Sequence, residues 1–78
     1  MKITYDESVD AAYIYLEDDI KPGGVARTYC CDPQEVNGQI HLDFDAGGRL
    51  IGIEVLDASK RLGSNLVAEL SSRGTASN

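Results

Sequence analysis

Between Gln39 and Ser59 apolar and polar residues alternate with a period of two, interrupted once by Gly47-Gly48. Ile40, Leu42 and Phe44 alternate with His41, Asp43 and Asp45. After the glycines, Ile51, Ile53 and Val55 alternate with Leu50, Gly52, Glu54 and Leu56. This is the pattern of two strands that each bury one face. A Gly-Gly loop of two residues suits a primed turn, because glycine takes positive φ without a Cβ clash. The spacing predicts a hairpin that pairs Ala46 with Arg49, Asp45 with Leu50, Phe44 with Ile51, Leu42 with Ile53, and Ile40 with Val55. Six apolar side chains then share one face, each worth roughly 1.5–3 kcal/mol on burial before the entropy of ordering is set against it. A slip of one residue would set Phe44 against Leu50 and Asp43 against Ile51, mixing the faces.

The same alternation, read from the start, predicts a strand over 2–5 with Ile3 and Tyr5 on one side, then a polar turn over 6–10. A second strand over 11–17 sends Ala12, Ile14 and Leu16 towards the core and Tyr13, Tyr15 and Glu17 away, since tyrosine tolerates a wet hydroxyl. Residues 18–24, with Pro22-Gly23-Gly24, form a loop. A third strand over 25–31 carries Val25, Arg27 and Tyr29 on one side and Ala26, Thr28 and Cys30 on the other. Its facing stays open, with Arg27 favouring the small-residue side inward. Asp32-Pro33 ends it, because proline cannot donate to a ladder, and Asn37-Gly38 turns the chain into the hairpin.

Beyond Leu56 the alternation stops. Asp57 is the expected N-cap of a short helix through Leu62, Gly63 interrupts, and Ser64 caps a second piece over 65–70. Leu62, Leu66 and Leu70 make a narrow apolar stripe that needs a surface to lie on. The pattern as a whole predicts an α+β fold: an antiparallel β-meander of about five strands, with a short C-terminal helical segment packed on the sheet or on a partner subunit. Residues 1–70 make a single small domain and 71–78 a disordered tail.

Seventy-eight residues bury only a modest core, and oligomerisation is a common compensation for small domains. The net charge of −6 argues against nucleic-acid binding and against anionic membranes. No apolar run approaches the roughly 20 residues of a transmembrane helix, and the strand pattern begins at the N-terminus, so neither span nor signal peptide is expected. The only cysteines, Cys30 and Cys31, are adjacent. Strand neighbours point to opposite faces, so they pair poorly as a disulfide, and a reducing cytoplasmic setting is expected.

Two stretches, ITYDESVDAAYIYLED and LDFDAGGRLIGIEVLDASKRL, together resemble the small prokaryotic family catalogued as domain of unknown function 2283. The similarity runs from about Met1 to Leu62. Its most specific parts are residues 10–14 and the run from Asp43-Phe44-Asp45 through Gly52 to Ser59. The resemblance implies a compact, strand-rich, stand-alone cytoplasmic domain. It implies no activity, and no catalytic residue is carried over from it.

The chemistry-bearing constellation is His41, Asp43 and Asp45 on one strand face with Glu54 across from His41. Alternate strand residues lie roughly 6.5–7 Å apart and cross-strand Cβ atoms about 5 Å apart, so these four are a candidate site for zinc or manganese. The plainer account is a solvated face on which His41 pairs with Glu54 and Arg49 offsets Asp45. Asp43 and Glu54 as an acid–base pair need a cleft and separated pKa values that the sequence does not provide. Cys30 or Cys31 as nucleophile needs a nearby base, and the chain has one histidine. The glycine pairs lack the Gly-Lys-Ser/Thr context of a phosphate loop. Gly52, inside a strand, marks a bulge, a bend or the close approach of another backbone, the bulge being favoured, and Asp57 is a helix cap rather than a ligand site. No cofactor is expected. The reading that follows is a non-enzymatic oligomerising or protein-interaction module, forming a homodimer or higher homo-oligomer. The competing classes are a metal- or ligand-binding enzyme on the acidic hairpin face and an acidic regulatory partner of another protein.

Overall fold

The computed structural model describes residues 2–72 and has the expected α+β architecture, a five-stranded antiparallel sheet with short helices. The strands are β1 (Lys2–Asp6), β2 (Ala11–Tyr15), β3 (Arg27–Cys30), β4 (Ile40–Phe44) and β5 (Leu50–Leu56). Helix α1 (Pro33–Val36) precedes β4, and α2 (Ala58–Arg61) and α3 (Ser64–Ser72) follow β5. The strand order is β1-β2-β5-β4-β3, so the sheet is antiparallel throughout but is not the expected meander: β2 pairs with β5, and β3 lies at the far edge beside β4. A hairpin, β1–β2, therefore docks through β2 onto the outer edge of a second unit, β3–β4–β5, and residues 16–26 carry the chain across the turn end of the central hairpin. Helix α3 runs through Ser72, and the remainder of the expected tail, 73–78, lies outside the described residues. Among the described residues no helix is long and apolar enough to cross a membrane.

The central hairpin keeps the expected pairs Leu42–Ile53 and Ile40–Val55 but not the expected turn. The loop has three residues, Ala46 to Gly48: Asp45 N donates to Arg49 O at 2.9 Å, and Gly48 N to Asp45 O at 3.0 Å. Of the two glycines only Gly48 takes positive φ, at 84°, the left-handed position that a three-residue loop requires. Phe44 consequently pairs with Leu50 rather than Ile51, and Asp45 with Arg49. A bulge at Ile51 then restores the register, so Asp43 faces Gly52 and all pairs below are as expected. The Ile51 carbonyl accepts the N–H groups of Leu16 and Glu17 at 3.0 and 3.2 Å, which carries the β2–β5 pairing past Tyr15.

Directly paired residues share a face, and two apolar rows result: Tyr5–Ala12–Val55–Ile40 and Ile3–Ile14–Ile53–Leu42–Tyr29. The buried cluster is Tyr5, Ala12, Val55, Ala58 and Leu70, with Ile3, Ile40, Ile53, Leu62 and Leu66 packed against it. The helical stripe thus lies on the sheet in cis, α2 against β5 and α3 against β1. Leu16, expected inside, lies beyond the end of β2 and is exposed. The third strand is shorter than expected and exposed throughout. Its facing is the reverse of what Arg27 favoured: Arg27 pairs with Phe44 and Tyr29 with Leu42 on the apolar side, while Thr28 and Cys30 look to the polar side. Arg27 escapes burial because the strand is an edge, where its guanidinium lies over the Phe44 ring at 4.5 Å.

Candidate functional site

The polar face of the sheet carries two rows of side chains. One runs Cys30, His41, Glu54, Tyr13 and Thr4, and the other Thr28, Asp43, Gly52, Tyr15 and Lys2. In the first row His41 Nδ1 lies 2.9 Å from Glu54 Oε1, with both side chains partly open to water. In the second, Asp43 is held from both sides. Tyr13 Oη donates to its Oδ2 and Thr28 Oγ1 to its Oδ1, each at 2.6 Å. One carboxylate thereby links β2 and β3 through β4.

Tyr13 reaches Asp43 by passing over Gly52, where any Cβ would collide with its phenol oxygen and Cζ. Gly52 thus abuts the bulge rather than forming it, and its bare Cα makes room for the Tyr13 ring rather than for another backbone. Tyr15 meets Tyr13 edge-on at 4.7 Å between ring centroids, and Lys2 Nζ sits 4.4 Å from the Tyr15 ring centre. Partial burial, and then the hydrogen bond to Asp43, push the Tyr13 phenol well above its ordinary value, so it stays a neutral donor.

The four residues of the metal candidate fall into three separate roles. His41 pairs with Glu54, and Asp43 is engaged by Tyr13 and Thr28. Asp45 belongs to the hairpin turn, where Oδ1 accepts the backbone N–H groups of Gly47 and Arg49 at 2.9 Å each. Arg49 thus meets Asp45 through its main chain. Among the described residues no group of three or more His, Cys, Asp or Glu side chains could hold a metal ion, and no cavity is found.

The start of α2 also differs from expectation. Asp57 occupies the cap position with φ of 52° but makes no side-chain capping bond. The cap comes from Asp10 instead. Its Oδ1 accepts Ser59 N at 2.9 Å and Tyr5 Oη at 2.7 Å, its Oδ2 accepts Ser59 Oγ at 2.7 Å, and its carbonyl accepts Ala58 N at 2.9 Å. The Ser59 hydroxyl and then the Tyr5 phenol hold the Asp10 carboxyl below its ordinary value. Sequence reasoning missed Tyr13, Thr28 and Asp10 as polar partners. It had placed Cys30 without a base, whereas the register sets Cys30 directly across from His41.

A family model described as "Protein of unknown function (DUF2283)" matches residues 2–59. No curated protein and no solved structure matches the chain.

Proposed function

The chain belongs to that family, whose description assigns no activity, and we propose that it is a non-enzymatic association module that pairs with a second copy of itself. The observation that carries this reading is the uneven cover of the apolar face. The helices and the buried cluster occupy the part built from β1, β2 and β5, whereas Arg27, Tyr29, Leu42 and Phe44 lie outside the cluster. Tyr29 is 52% exposed, and every residue of β3 is open to solvent. Apolar area left in one patch favours association, and a small core gains most from it. In a chain of net charge −6, close approach of two copies needs a region without acids. None of these four positions is acidic, so two such surfaces can pack face to face. The cytoplasm suits this module, since both cysteines are free thiols.

Size-exclusion chromatography with light scattering at tens of micromolar tests the reading. A mass near twice the 8.4 kDa of the chain is expected, and Tyr29→Asp should return it to one chain with an unchanged circular dichroism spectrum. A wild-type monomer at that concentration overturns self-association. A dimer untouched by Tyr29→Asp overturns the choice of surface.

A further inference from the structure

Cys30, His41 and Glu54 stand abreast on β3, β4 and β5, on the polar face and so opposite the surface proposed for association. The order is that of a nucleophile, a base and the group that orients the base. Glu54 Oε1, an acceptor, lies 2.9 Å from His41 Nδ1 and so keeps the ring proton on Nδ1. Nε2 is left as the proton acceptor of the ring. Cys31 N donates to Ile40 O at 2.9 Å, which makes Cys31 and Ile40 a hydrogen-bonded pair. The next pair, Cys30 and His41, is then of the non-hydrogen-bonded kind, in which side chains approach more closely and Cβ atoms lie roughly 4.5–5.5 Å apart. The thiol is one bond beyond its Cβ and is exposed.

We propose that Cys30 is a reactive thiol served by His41 and Glu54, and that its chemical partner is a low-molecular-weight disulfide. The Cys30 proton passes to His41 Nε2, and the thiolate attacks one sulfur of the disulfide. A new protein–ligand S–S bond forms as the old S–S bond breaks, and the departing thiolate takes the proton back from the imidazolium. One thiol is consumed and one released, with no further oxidant. Cys31, next in sequence but on the other side of the strand, is badly placed to displace the adduct, so the product is a lasting mixed disulfide. The proposal does not depend on self-association.

The test is peptide-resolved mass spectrometry of adduct formation with 2-hydroxyethyl disulfide at neutral pH, with thermal melts as a folding control. Cys30 in the folded wild type should react about tenfold faster than Cys31, and His41→Asn should remove that advantage, a loss smaller than the roughly 100-fold at which general-base effects in enzyme sites usually begin. Glu54→Gln should remove part of it, while Cys31→Ser leaves the Cys30 rate unchanged. Equal rates at the two cysteines in the wild type overturn the proposal. A Cys30 rate that is faster but indifferent to both His41→Asn and Glu54→Gln also overturns it, because exposure alone then explains the difference. Acceleration seen with iodoacetamide but not with the disulfide overturns the assignment of ligand class.

Discussion

The two ends of the sheet are held by different physics. Across β1, β2 and β5 the apolar face is covered, and Tyr5, Ala12, Val55, Ala58 and Leu70 exclude water from one another. Across β4 and β3 no such cluster forms, and the main side-chain tie lies on the opposite face, where Tyr13, Asp43 and Thr28 join three strands by two short hydrogen bonds. Burial is non-directional and scales with area, so the covered end tolerates imperfect geometry but not lost volume. A hydrogen-bonded tie depends on its path, so the bare end should be sensitive to anything that blocks Tyr13 from reaching Asp43. The same division leaves an apolar patch and the Cys30–His41–Glu54 row on opposite faces of the thin end.

The largest difference should come from truncating each end. Leu70 is 2% exposed and anchors α3 to the cluster, so Leu70→Ala should cost about 2–3 kcal/mol. Tyr29→Ala at the bare edge should cost under about 1 kcal/mol when measured at high dilution. Urea melts of the two variants make the comparison directly. Equal losses would mean that the edge strand is packed as firmly as the helices, and the contrast between the ends would fail.

A smaller effect isolates the polar tie. Gly52→Ala should cost about 1–3 kcal/mol, because the new methyl group displaces the Tyr13 ring and breaks its bond to Asp43. In a Tyr13→Ala background the same change should be neutral or slightly stabilising, since a strand glycine is otherwise a liability. The coupling between the two sites should therefore reach at least about 1 kcal/mol. Additivity would show that Gly52 matters for the neighbouring bulge alone.

How far the sequence reaches into this molecule follows the same division. Periodicity located both hairpins, the helical cover and the His41–Glu54 pair, because each is decided by alternation over a few residues. The turn escaped it because two irregularities cancel: a three-residue loop shifts the ladder by one, and the bulge at Ile51 shifts it back. The slipped contact of Phe44 with Leu50, which pattern alone argues against, is the visible trace. Helix α1 was legible but unread: Asp32 accepts Gln34 N at 3.0 Å, Pro33 fills the first helical position, and Asn37 closes it with φ of 55°. The docking of β2 on β5 and the Asp10 cap were not legible. Ser59 is 49 residues from Asp10, and nothing local distinguishes Asp10 from its neighbours as a long-range partner.

That cap offers the subtlest probe, because it is a polar tie inside the end otherwise held by burial. Asp10 adopts φ of 54° at the β1–β2 turn and accepts from Tyr5 and from both donors of Ser59, so it fixes the start of α2 to the first hairpin. Its carboxyl is held below its ordinary value of 3.8 in the folded chain. A carboxyl whose folded pKa is depressed adds stability that is complete above the unfolded value and is lost as pH falls through the folded one. The wild type should therefore exceed Asp10→Asn by a constant margin near neutrality, and the margin should close only on acidification below about pH 4. Hydrogen exchange followed over that range adds the spatial reading. Amides of α2 and α3 should lose protection first, while those shared by β4 and β5 keep theirs, since only the cover is tied down by this carboxylate. Loss of protection in β4 and β5 at the same pH would mean that cover and hairpin open as one unit, and that the two ends of the sheet differ in their chemistry but not in their stability.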